Sequence, residues 1–169
     1  MTPEHNHVLF TRYPLNGRVP LSTGSAPTPY HVYDGIMLLI GGTVDLSKVR
    51  ELIDHETVTP IATRSDRALM AIWIADFATA SLGPHHELQF SLLVSHHPMA
   101  PVRAHRLALL RLLALEPGAG MLCHGLWNDE APVVAYNSEY LGLRARLAAS
   151  TTSANMTRPA SRVCGLGPG

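Results

Sequence analysis

Ten histidines and a single lysine frame the chemistry open to this chain. His85-His86-Glu87 and His96-His97 bracket one stretch that alternates like a strand. Alternation places His85 and Glu87 on one face, with His97 beside them if the strand continues. A His/Glu/His set is zinc chemistry in principle. Yet His85 and His97 are 12 positions apart. At about 3.3 Å per residue an extended strand holds them far beyond one coordination sphere. Only a sharp bend, or a further ligand such as His124, would gather a metal site, so no metal and no other cofactor is expected. Glu87 has a different use. A carboxylate opening an apolar strand beside two histidines can have its proton affinity tuned by burial and act as an acid or base. The bland alternative is a solvated glutamate at a strand end.

Nucleophiles are poorly provided for. The sequence holds no G-x-S-x-G, no P-loop and no G-x-G-x-x-G after a strand. Cys123 and His124 are adjacent on an expected strand, so their side chains point to opposite faces and cannot pair directly. The only lysine, Lys48, falls on the polar side of an expected helix. Imine chemistry through a lysine is therefore not expected.

Composition narrows the partners. The 169 residues fit one domain, 46% of them hydrophobic, 15% charged, with formal net charge +0. Scattered arginines and a neutral balance offer no field for nucleic acid or anionic lipid. No signal-peptide pattern opens the chain, and no apolar run nears the roughly 20 residues that span a bilayer. Cys123 and Cys164 make neither a disulfide framework nor a metal cluster, which reads as two free thiols in a reducing cytoplasm.

The elements that must position these residues are legible in outline. Residues 1–29, with five prolines, read as an irregular lead-in. Tyr30 to Val44 reads as a strand with a bulge or turn at Gly41-Gly42. Asp45 is placed to cap a helix whose inward side is Leu46, Val49, Leu52 and Ile53. Ala68 to Phe77 and Glu87 to Ser95 read as an antiparallel pair joined by the turn Ser81-Leu82-Gly83-Pro84. On the second strand Leu88, Phe90, Leu92 and Val94 share one face. Glu87, Gln89, Ser91 and Ser95 share the other, either wet surface or the lining of a cavity. His105 to Leu115 predicts a helix ended by Pro117-Gly118. Met121 to Trp127 and Pro132 to Tyr136 read as short strands, and Asn137 to Leu147 as a helix or a turn leading into one. The core domain spans 30–148, and 149–169 reads as a flexible tail.

In combination these pieces resemble the acetoacetate decarboxylase family over about residues 27 to 147. The order is a strand (Met37 to Val44), a short helix (Leu46 to Ile53), AIWIADF, then SLGPHHELQFSLLVS. Asp76-Phe77 matches the family's acidic-aromatic strand end, and Gly83-Pro84-His85 with Glu87 its turn and following strand. The lysine segment of the family is closest here to Asn137-Ser138-Glu139-Tyr140-Leu141-Gly142-Leu143-Arg144-Ala145-Arg146. The resemblance implies an α+β fold: a curved antiparallel sheet closed into a cone-like barrel with flanking helices around an apolar pocket. It also implies decarboxylation through a lysine imine. Here Ala145 stands in the nucleophile's place and Arg146 in its neighbour's, and arginine stays protonated. The family also continues past this segment, so the barrel is expected to be smaller, truncated or completed by a partner subunit.

The expectation is thus acid–base chemistry on a small keto or polyketide-like substrate, by a cyclase, dehydratase, isomerase or non-imine decarboxylase. The alternative is a non-catalytic ligand binder. Glu87, Arg146 and His85 are the expected catalytic residues, with Arg146 as an anion clamp. Tyr136, Glu139 and Trp73 are expected to bind substrate. The partner is a small molecule, with no nucleic acid or membrane, and a homo-oligomer where the barrel is incomplete.

Overall fold

The structure is a computed structural model and describes residues 7–105 and 107–149. The expected tail lies outside the described residues except for Ala149.

The lead-in is more regular than its prolines suggest. A short helix, α1 (Val8–Arg12), is followed by a hairpin of β1 (Gly17–Leu21) and β2 (Gly24–Thr28). The hairpin is a separate two-stranded sheet, so each strand has a free edge. Pro20 and Pro27 are tolerated there because an edge strand need not donate every N–H.

The main sheet is built from β3 (Val32–Asp45), β4 (Thr59–Pro60), β5 (Arg67–Ala80), β6 (His85–Ser95), β7 (Ala119–Asn128) and β8 (Ala145–Leu147). Its order is β3-β5-β6-β7-β8, with β4 also pairing with β6. All pairings are antiparallel except β7 with β8. The pair β5–β6 is the antiparallel pair that alternation predicts. Gly83 makes its turn with φ +91°, a conformation costly for a residue with a Cβ. The expected break at Gly41-Gly42 is absent, since β3 keeps register with β5 from Ile36 to Asp45. The irregularities fall earlier, between Val32 and Ile36. There a Cβ on Gly35 would stand 2.7 Å from the Asp76 carbonyl.

Two helices cover opposite sides of one end of the sheet. Asp45 caps α2 (Leu46–Leu52), its carboxylate accepting from the Lys48 N–H at 3.1 Å. Leu46, Val49 and Ile53 pack with Ala68, Leu92 and Val94, while Leu52 stays exposed. On the other side α3 (Ala108–Leu115) lays Leu109 and Leu112 against Ile61, Leu69, Ala71 and Leu93. Gly41 faces α3, where a Cβ would meet Leu109 at an ordinary contact distance of 3.6 Å.

The segment expected as a strand at Pro132 to Tyr136 is helical instead. It forms α4 (Ala131–Ala135), which continues into a π-helical turn, Tyr136–Tyr140. Pro132 sits in the first turn, where its missing N–H costs nothing and its φ suits a helix. The sheet is mixed and open. Among the described residues β3 and β8 are its two outer strands and do not pair with each other, so the closed cone-like barrel is not formed.

Candidate active site

Strand alternation and register assemble a polar cluster on the α3 side of the sheet. Glu87 lies between Ala75 of β5 and Asn128 of β7. Gln89 lies between Trp73 and Leu126, and Ser91 between Ala71 and Cys123. Directly opposed residues share a face. His85, Glu87, Gln89, Ser91, Trp73, Cys123 and Asn128 therefore project to one side. Ser91 and Ser95 are buried, so the polar side of β6 is interior and not wet surface.

Glu87 is gripped by amides. The Asn128 side chain, itself buried, donates from Nδ2 to Glu87 Oε2 at 3.1 Å. Asn137 in the π turn donates to Asn128 Oδ1 at 3.0 Å, which fixes the orientation of that amide. Burial pushes the Glu87 carboxyl above its ordinary proton affinity, against the opposing pull of the Asn128 hydrogen bond and of His85.

His85 is buried and committed at both ring nitrogens. Nδ1 lies 2.9 Å from the Gly83 carbonyl, which can only accept. Nδ1 therefore carries the proton, and Nε2 accepts from the Tyr30 hydroxyl at 2.9 Å. The Phe77 ring lies tilted against the same imidazole, centroids 5.0 Å apart. Burial holds the Tyr30 phenol well above its usual range, and Glu87 and Tyr136 add to this, so Tyr30 stays protonated. Tyr136 is buried, 5.9 Å from Tyr30 ring to ring, and its hydroxyl donates to Thr28 Oγ1 at 3.3 Å. Burial, then the charge of Glu87, raises the Cys123 thiol, so it is no thiolate nucleophile. The indole Nε1 of Trp73 is buried without an acceptor among the described residues. Such donors are rare, and a ligand oxygen would satisfy this one.

Of the expected site residues, the structure brings together Glu87, His85 and Tyr136 around Tyr30, and Trp73 shares their sheet face. His85 serves as a hydrogen-bonded support, with its ring nitrogens engaged by the Gly83 carbonyl and the Tyr30 hydroxyl. Arg146 is not brought to them. It lies on β8 opposite Trp127, while its neighbours Ala145 and Leu147 pair with Leu126 and Asn128 on the cluster side. Arg146 thus points to the other face, where it is exposed and does not line the groove that Glu87 borders. Glu139 is also displaced from its expected role. It is exposed and holds the hairpin, accepting from the Ser22 N–H at 2.8 Å and from the Ser22 hydroxyl. Sequence reasoning missed Tyr30, Asn128 and Asn137. Tyr30 was readable only as a strand start, and the two asparagines meet Glu87 through pairings that no local pattern encodes.

The other sheet face carries an apolar groove of about 530 Å³ lined by Ile36, Leu38, Ile74, Leu88, Phe90 and Trp127. Glu87 and Asn128 also border it, although their ladder positions belong to the cluster face. His86 stands on the groove side, its Nδ1 2.6 Å from Asp129 Oδ2. Among the described residues no set of three His, Cys, Asp or Glu side chains is arranged to hold a metal ion. Lys48 is exposed on α2. No helix among the described residues is long and apolar enough to cross a membrane. Comparison of the chain with family models, curated proteins and solved structures finds no match.

Proposed function

We propose that this chain is an acid–base enzyme acting on a small keto or polyketide-like compound, with Glu87 as the proton-transfer group. The observation that carries this reading is a desolvated carboxyl on the same sheet face as the Trp73 indole, whose N–H has no acceptor among the described residues. A carboxyl with raised proton affinity works near neutral pH in either direction. Ionised Glu87 takes a proton from the carbon next to a carbonyl. The electron pair moves to the carbonyl oxygen, where the Trp73 N–H donates to the developing charge. Protonated Glu87 then returns the proton to carbon for isomerisation, or to a departing hydroxyl for dehydration. This is the acid–base chemistry that a lysine-free relative of the acetoacetate decarboxylases would retain, and that kinship belongs to the proposal. The open sheet is a departure from the family's closed barrel.

The test is solvent hydrogen exchange. The protein is incubated in D₂O with a panel of β-keto acids and enolisable ketones, and deuterium at the α-carbon is followed by NMR. Catalysed exchange is expected, falling roughly 100-fold or more in Glu87→Gln. Exchange that survives Glu87→Gln overturns the assignment. Ligand-induced shifts without any exchange favour a non-catalytic binder, the second reading, which rests on the apolar groove. Borohydride trapping should give no adduct at Lys48.

A further inference from the structure

The outer edge of β3 is built like a strand that expects a neighbour. From Ile36 to Gly42 the sequence reads IMLLIGG, with no charge and no proline. Natural edge strands are ordinarily guarded by such residues. Ile36, Met37, Leu38 and Ile40 are 75%, 52%, 55% and 44% exposed. One side of β3 pairs with β5 in unbroken register over this run. Among the described residues no strand pairs with the other side and no main-chain hydrogen bond reaches it. On an edge strand every second residue directs its N–H and C=O outward, so this side is an open ladder.

We propose that the partner of β3 is β3 of a second copy, paired antiparallel about a two-fold axis at Leu39. The pattern of large and small residues sets this register. With Leu39 opposite Leu39, Leu38 faces Ile40, Met37 faces Gly41 and Ile36 faces Gly42. The bulky exposed residues of each chain fill the spaces above the glycines of the other. Each opposed pair shares a face, as an antiparallel ladder about a two-fold requires. The axis gives about six to eight new main-chain hydrogen bonds, in symmetric pairs. The same register sets Asp34 against Val44 and Asp45 against Tyr33, so no like charges meet. A foreign strand would need the same pattern reversed, whereas a second copy supplies it by symmetry. The two main sheets join into one, and the apolar strip of Ile36, Leu38 and Ile40 becomes continuous across the axis.

Sedimentation of the full chain is expected to show a species of twice the 18.3 kDa chain mass. Leu38→Lys combined with Ile40→Lys puts like charges directly opposite and should weaken self-association at least about tenfold. Both positions are exposed, so circular dichroism should be unchanged. A register test stands apart from that variant. Leu38→Cys protein mixed with Ile40→Cys protein should form an intermolecular disulfide between the introduced sites, read by peptide mass spectrometry. Neither variant alone should form it. A monomer at the highest soluble concentration overturns the proposal. So does a dimer indifferent to the lysines, a crosslink in another register, or pairing of β3 only with an unrelated extended peptide.

Discussion

Glu87 is held between opposing influences, and their balance has a sign that stability measurements can read. Burial raises its proton affinity in the folded state above that of the unfolded chain. Such a group supports folding fully below the ordinary glutamate value of 4.5, and that support is lost as pH rises through the higher folded value. At neutral pH the buried charge is therefore a burden. Glu87→Gln should raise the melting temperature at pH 7, and the gain should vanish below pH 4.5. Thermal melts across pH check this, and a gain that persists in acid would point to packing instead of charge. Asn128→Leu removes the donor that lowers the Glu87 pKa and should push that pKa further up, which NMR titration of the side chain would show. At this scale the sequence spoke clearly where alternation governs. His85 and Glu87 share a face because a strand has a period of two. It was silent on Arg146, whose face depends on a parallel pairing with β7 that no local pattern encodes.

The elements differ in how well their sequences announce them. The α2 helix is legible because Asp45 caps it and its apolar spacing is helical. The segment Pro132 to Tyr136 misleads because a run of five residues is too short for periodicity to separate strand from helix. The lead-in prolines mask a hairpin whose docking is a long-range event, a tether from Ser22 to Glu139. That tether depends on charge. The Ser22 hydrogen bonds hold the Glu139 carboxyl below its ordinary value. Its contribution is thus present above pH 4.5 and lost as pH falls through the lower folded value. Amide exchange in β1 and β2 should therefore accelerate on acidification, and in Ser22→Ala it should already be fast at neutral pH. Protection that is equal in both proteins at all pH values would show that the hairpin is held by something else.

Among the described residues the molecule is an open sheet with its main apolar packing at one end and its polar cluster at the other. Leu93 joins the cluster under α3 and is almost fully buried, so Leu93→Ala should cost about 2–5 kcal/mol in urea unfolding. The α+β class and the central antiparallel pair were readable from periodicity. Closure was not, because whether β3 meets a strand of its own chain is a global question. Among the described residues the outer edge of β3 is unpaired, and Ile36 and Leu38 of that strand line the apolar groove. The catalytic proposal rests on a single physical condition, a Glu87 carboxyl withdrawn from water yet able to exchange a proton. Carbon-13 NMR of the Glu87 side-chain carboxyl, followed through a pH titration of the unmodified chain, tests it directly. The expected midpoint lies above 4.5. A midpoint at or below 4.5 would mean a solvated glutamate and would contradict the assignment of Glu87 as the acid–base group.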